Sequence, residues 1–399
     1  MRCRSLPRPL WSAGFAASAL LAASTVAALA QDLRQEGSAP EGIDWSVGLR
    51  GAYDSSSLTG GKAEAIIAPH LRFTRSGERD QTTLSSGGEF SVDTTGAVRI
   101  DELRLGGSSA YDLDQWSKLH GSVDLSLVQL PADDSSLPSG TAVGPTELTG
   151  TAQGDASRKL GRFDVTGRLK GERFVEGPTL LEDKTSIDNT DQSYWLGEAG
   201  LRVGYELSPL LSVFVDGSES YQKFDAAEPS LGKFLDGRTT ELKGGFSYAL
   251  PGTLSAEVSA GRAWLDYTDA AITDQPGWVY DASVTLTPDE TLSLTGAFNT
   301  SIGPSTDTIG DTDIVYALNG SASYLVNPWL TLRGTAAWNR TQTVGSGAVG
   351  WGYSAGAGLD LQSSRHVIWS ADYLFNHSEP ATTPVEDTHT VTVGVTFKR

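Results

Sequence analysis

The chain has 399 residues, a formal net charge of -19 and a mean hydropathy of -0.21. So large an acidic excess argues against a nucleic-acid partner, which needs a basic face. No run of about 20 apolar residues follows the amino terminus, which excludes a helical membrane bundle but not a membrane β-barrel, where only every second residue meets lipid.

Residues 1–30 read as a secretory signal peptide. Arg2, Arg4 and Arg8 supply its charged end, Ala13 to Ala28 its apolar stretch, and Ala28-Leu29-Ala30 a small-x-small cleavage site before Gln31. The polar Gln31-Asp32 that follows disfavours a signal anchor. The only Cys, Cys3, lies inside this leader. A mature chain without Cys has no disulfides, no Cys-based metal site and no thiol nucleophile. Residues 31–42 are a polar linker on the periplasmic side, and 43–399 are expected to form one domain.

From Ile43 the chain resolves into alternating segments parted by turn residues. Ile43, Trp45, Val47 and Leu49 share one face, against Asp44, Ser46 and Arg50. Ala65, Ile67, Leu71 and Phe73 oppose Glu64, His70 and Arg72, with Pro69 predicting a local irregularity in the ladder. Leu103 and Leu105 oppose Glu102 and Arg104; Leu119, Val123 and Leu125 oppose Lys118, His120 and Asp124. After a loop at Pro131 to Pro145, a short segment near Leu148 reaches a tight turn at Ser157 to Gly161.

The next stretch, Arg162 to Glu172, carries charged or hydroxylic residues at even positions and apolar residues or Gly at odd ones. Strand side chains alternate between faces, so one wall is charged and one greasy. A second loop, Glu176 to Asn189, precedes a segment with Trp195, Leu201 and Val203 on one face and Glu198, Arg202 and Glu206 on the other.

Later segments are more regular: Leu211 to Val215, Leu242 to Tyr248, Leu254 to Trp264, Tyr280 to Leu286, Leu292 to Phe298, Ile314 to Tyr324, Leu330 to Trp338, Trp351 to Leu359, Val367 to Phe375 and Val391 to Phe397. A register slip is expected at Trp264, which suggests a bulge.

Connection lengths decide the topology. Short turns at Ser208-Pro209, Pro251-Gly252, Pro288-Asp289, Asn327-Pro328 and Ser363-Ser364 alternate with longer loops. Short periplasmic turns and long external loops are the pattern of bacterial barrels. The expected fold is all-β, a transmembrane antiparallel up-and-down barrel of about 18 strands; 16 is the alternative, because the segments near Thr94 and Leu148 are weak. Trp45, Trp195, Trp278, Trp338, Trp351 and Trp369 are expected to form aromatic girdles at the headgroup level. Arg72, Arg104, Lys118, Arg162, Arg168, Lys170, Arg202, Lys243, Glu172 and Glu198 are expected to line the pore. With Lys159, the residues Arg162, Arg168, Lys170 and Arg202 would make a basic wall attractive to anions, or else pair with nearby carboxylates and leave only a wet polar surface.

Units such as Tyr324-Leu325-Val326-Asn327-Pro328-Trp329-Leu330-Thr331-Leu332 and the ending Val391-Thr392-Val393-Gly394-Val395-Thr396-Phe397 resemble the β-barrel porin type 2 family of Gram-negative outer membranes. The resemblance covers Ile43 to Arg399. It implies an outer-membrane location and a channel for polar or anionic solutes, with exopolysaccharide secretion as the setting. The implied partners are membrane lipid, a polar or anionic saccharide and periplasmic polysaccharide-export components.

Two other readings compete. One is a structural or binding barrel closed by inward-folded loops such as Pro131 to Pro145. The other is an outer-membrane hydrolase. No H-E-x-x-H or G-x-S-x-G occurs, and His70, His120, His366, His377 and His389 show no metal-ligand spacing, so no enzyme, cofactor or metal is expected. Asp133-Asp134 reads as a solvated acidic loop.

Overall fold

A computed structural model describes residues 41–399, apart from 95, 97, 135, 136, 230, 271, 306–311, 382 and 383. The leader, and the expected linker up to residue 40, lie outside the described residues. Glu41 and Gly42, also expected in the linker, already pair with Arg75 and Thr74.

In chain order the strands are β1 (Glu41–Ser56), β2 (Gly60–Ser76), β3 (Asp80–Asp93), β4 (Val98–Asp114), β5 (Ser117–Gln129), β6 (Thr141–Val143), β7 (Thr146–Leu160), β8 (Phe163–Glu176), β9 (Thr179–Leu181), β10 (Ser186–Ile187), β11 (Tyr194–Ser208), β12 (Leu211–Phe224), β13 (Gly237–Leu250), β14 (Leu254–Tyr267), β15 (Gln275–Leu286), β16 (Leu292–Pro304), β17 (Thr312–Asn327), β18 (Leu330–Val344), β19 (Val349–Ser364), β20 (Val367–Glu379) and β21 (Glu386–Lys398). An 18-stranded sheet takes all but β6, β9 and β10, which form a small sheet of their own. Each wall strand pairs antiparallel with the next, and β1 pairs with β21 from Ser46↔Lys398 to Ser56↔Thr388. The sheet is therefore a closed barrel without a free edge.

One rim carries the short turns 77–79, 115–116, 161–162, 209–210, 251–253, 287–291, 328–329 and 365–366. The opposite rim carries the long connections 130–145, 177–193 and 225–236. By the length rule the short turns face the periplasm. Several observed turns fall a residue or two from their expected places; β7, for instance, runs to Leu160, so its turn is 161–162.

Alternation explains why these residues form a barrel and not a soluble sandwich. Leu169 is 67% exposed and Val123 61%, and the outward series Ile43, Leu49, Leu105, Leu201, Leu242, Phe246, Val258 and Val393 is likewise exposed. A soluble sheet would bury these side chains; here they form a continuous apolar belt whose solvent is lipid. Their neighbours at the alternate positions face the lumen.

Pro69 produces the expected irregularity. The β2–β3 ladder is unpaired at Ala68 and Pro69, yet resumes in the same register. A bulge lies on β4, where Glu89 pairs with Glu102 and Phe90 with Ile100. No slip occurs at Trp264: β14 keeps one register from Leu254 to Tyr267 against β13, and Trp264 faces out with Val258. Between them, Arg262 also faces lipid and places its guanidinium 4.8 Å from the Trp278 ring.

Two elements at the long-loop rim turn inward. Pairing of β15 with β16 ends at Asp281↔Asn299, whereas β16 stays paired with β17 as far as Pro304↔Thr312. Beyond that split, Ile302 and Ile314 pack on Ala263 and Val279, which sit on the inner face of β14 and β15. The Thr312 hydroxyl lies 3.1 Å from that of Tyr267. The outer end of the β16–β17 hairpin thus leaves the wall and leans into the lumen. Next to it, Leu235 of the connection 225–236 packs on Phe224, Leu265, Tyr267 and Ile272.

Candidate functional site: the lumenal wall

The lumen is built from strand alternation alone. Ser108, Ser122, Gln153, Lys170, Glu198 and Ser220 follow one another in register across β4, β5, β7, β8, β11 and β12. These residues help line a cavity of about 1000 Å³.

The charged side chains expected in the pore are mostly locked into pairs. Arg168 donates from Nη1 and Nη2 to the two carboxylate oxygens of Asp216, at 2.6 and 2.7 Å. This fork crosses the intervening strand β11 at Gly200, where an added Cβ would lie 2.9 Å from the Arg168 guanidinium. Arg202 reaches Glu257 in the same bidentate way, at 2.7 and 2.6 Å, with its guanidinium 3.5 Å from the centre of the Phe214 ring. Lys170 is 2.8 Å from Glu172, and Lys159 is 2.8 Å from Glu206. Lys243 lies 2.9 Å from both Glu241 and Asp281. On the facing arc, Arg333 bonds Asp360 at 2.8 Å and lies 2.9 Å from Asp372, across Gly358. Arg50 pairs with Glu89, and Arg104 with Glu102.

A bidentate Arg–carboxylate pair is directional and costs little further ordering. Here it holds Arg168 flat against the wall across a strand whose local residue is Gly, and Arg202 across two strands, over the Phe214 ring. Of the two outcomes open for the basic wall, the pairs realise the second: its cations are bonded to carboxylates. Lys118 sits at the short-turn mouth, 3.8 Å from Asp112. Arg162 is displaced from its expected place: it occupies the turn 161–162 and not the lumenal wall, because β8 begins at Phe163. Arg72 lies on the lumenal side of β2, in register with Asp44.

The expected girdle Trp residues are distributed over two levels. Trp195, Trp278 and Trp351 lie near the long-loop ends of β11, β15 and β19, and Trp45 and Trp369 near the short-turn ends of β1 and β20. Trp338 stands further in, in register with Leu318 and Tyr353. Trp116 and Trp329 add to the short-turn girdle, at 53% and 54% exposed. Sequence reasoning passed over them because they sit in turns. The inward glycines Gly200 and Gly358 were missed too; their signal is a Gly flanked in register by opposite charges.

Among the other polar groups, His377 bonds Asp387 at 2.7 Å and His389 bonds the Tyr373 hydroxyl at 2.8 Å, both on the outward face near the long-loop rim. His120 contacts Asp155, and Asp133 approaches Lys62 at 3.7 Å. In the connection 177–193, Asp183 accepts the Thr185 N–H and Asp188 accepts the Thr190 hydroxyl and N–H. These bonds hold both carboxyls below the usual range. No grouping of metal-ligating side chains occurs among the described residues.

Residues 44–399 match the family described as Putative beta-barrel porin 2. The chain belongs to this family. It is a porin-type barrel of the Gram-negative outer membrane, and its apolar belt and girdles are the surfaces that meet lipid. A search of curated proteins gives no match. Solved structures of similar fold include Pseudomonas aeruginosa OpdK with vanillate, at 11% identity and a TM-score of 0.44, covering 90% of this chain and 99% of that one. Pseudomonas aeruginosa OccK5 (OpdH) is similar at 13% identity and a TM-score of 0.43, covering 90% and 98%. Outer-membrane expressed OmpT of Vibrio cholerae follows at 13% identity and a TM-score of 0.39, covering 91% and 99%.

Proposed function

We propose that this porin-family barrel is a water-filled conduit for polar solutes across the outer membrane, acting by passage and not by catalysis. The observation that carries this reading is the wall itself. Long charged side chains are pinned flat by ion pairs, and the polar row from Ser108 to Ser220 borders open volume. Barrels of 16–18 strands are wide enough to leave an aqueous channel once the lining side chains are kept out of the way. A saccharide is the cargo within this reading, and exopolysaccharide export is its setting. That finer part rests on the family resemblance, and deleting the gene should then reduce surface polysaccharide. The anionic preference expected from a basic wall loses its basis, since those cations are already neutralised.

The test is single-channel recording of purified protein in planar bilayers. Steady conductance steps are expected, together with swelling of proteoliposomes in neutral sugars. A folded barrel that gives neither result refutes the conduit.

A loop-closed barrel is the second reading, favoured by the inward β16–β17 hairpin. The loop expected to close the lumen, the connection 130–145, joins that of 177–193 through Thr141↔Leu181 and Val143↔Leu180 among the described residues. Replacing Ile302 and Ile314 with Ser removes the apolar contact that holds the hairpin in. A conductance that appears only in this double variant supports closure; equal conductance in both proteins supports the open conduit.

A further inference from the structure

We propose that the lumen prefers cations to anions, so that the solutes it passes most readily are neutral or positively charged; this rests on the conduit reading. The inference comes from which charges are left over once the ion pairs are drawn. In the arc that looked basic, Lys159, Arg168, Lys170, Arg202 and the adjoining Lys243 face Glu206, Asp216, Glu172, Glu198, Glu257, Glu241 and Asp281, so carboxylates outnumber cations. Lys243 is shared between two carboxylates, and so is Arg333 on the opposite arc.

Glu198 and Asp124 are among the lumenal carboxylates that have no cation within 4.0 Å among the described residues. Glu198 borders the 1000 Å³ cavity, with Lys170 opposite it in register but bonded to Glu172. Asp124 lies on β5, beside Gly106 and opposite Thr151, in the row next to Ser122. At the long-loop mouth, Glu147 and Glu176 stand directly opposite each other on β7 and β8, again with no cation in reach among the described residues. Like charges in direct cross-strand register repel, and either a shared proton or a mobile cation relieves that repulsion. The anions therefore run from the mouth to the middle of the pore.

The pinned cations are poor partners for a passing anion. The bidentate forks of Arg168 and Arg202 direct both terminal nitrogens at protein carboxylates. To bind a solute anion they would have to break two charge-assisted bonds. Rings of charge set the selectivity of a pore, and here the uncompensated charge is negative.

The experiment is the zero-current potential of the full protein in a planar bilayer under a KCl gradient. The expected sign is that of potassium passing faster than chloride. The preference should fall as ionic strength rises from 0.1 to 1 M on both sides, because the Debye length shrinks from about 10 to 3 Å. The nearly isosteric variants E198Q, D124N and E147Q/E176Q should each lower the potassium-to-chloride permeability ratio, and the combination should bring it close to one. Heat-modifiable mobility checks that each variant is folded. Chloride preference in the parent, or a potassium preference untouched by the combined variant, overturns the proposal while leaving the conduit standing. Absence of any conductance in the parent removes the conduit, and this inference with it.

Discussion

The wall from β1 to β15 and the wall from β16 to β21 use the same backbone and different lumenal chemistry. The first arc presents Arg50, Glu89, Arg104, Arg168, Arg202, Lys243 and their partners. The second presents Thr295, Ser321, Thr335, Ser370, Thr390 and Thr392, with Arg333 as its cationic hub. In the charged arc, side chains bridge alternate strands, so the wall is braced by bonds beyond the backbone ladder. In the small-residue arc the ladder stands almost alone, and its first hairpin, β16–β17, is the one that parts from its neighbour. Long charged side chains have the reach to cross a strand; Ser and Thr do not. The difference teaches that pore charge and wall bracing come from the same residues.

The largest expected effect breaks the inside–outside contrast on which both arcs depend. Leu169 and Lys170 are neighbours on β8, one toward lipid and one toward water. Leu169→Arg should cost about 2–4 kcal/mol at mid-membrane depth, read from denaturant unfolding of the bilayer-refolded protein. Lys170→Leu should cost much less.

Next comes the bracing of the charged arc. Gly200→Leu puts atoms where the Arg168 guanidinium now lies and should eject it from Asp216. The freed cation then projects into the lumen, so single-channel conductance should fall and chloride permeability should rise. A variant with both unchanged would show that the fork does not keep the lumen clear.

The smallest effect lies in the second arc. Arg333→Gln removes the cation that Asp360 and Asp372 share. In a wet lumen such a pair contributes little stability, about 0–1 kcal/mol. Melting should barely change, while the potassium preference in bilayers should increase. A marked loss of stability would mean that this arc, too, depends on its ion pairs.

Much of this was legible in residue order. The period of two, the alternation of short turns with long loops and the outward Trp residues specify an inside-out barrel, because lipid and water sort side chains by face whatever the neighbouring strand is. The same logic placed Arg168, Lys170 and Glu198 on the water side. It failed at Trp264, where the ladder runs on without a slip, and at Arg162, where a turn residue imitated a strand residue.

Alternation by itself cannot assign partners across strands. Arg168 and Asp216 are 48 residues apart, and Arg202 and Glu257 are 55 apart. Their bonds depend on strand order, register and what lies beneath the side chain, Gly200 for Arg168 and the Phe214 ring for Arg202, all of which follow from closure of the sheet. The sequence by itself determined which face each side chain takes, because that needs only the pleat. Tertiary structure alone decided which charges cancel and which remain, because cancellation is a matter of a few ångströms between strands that are not neighbours in the chain.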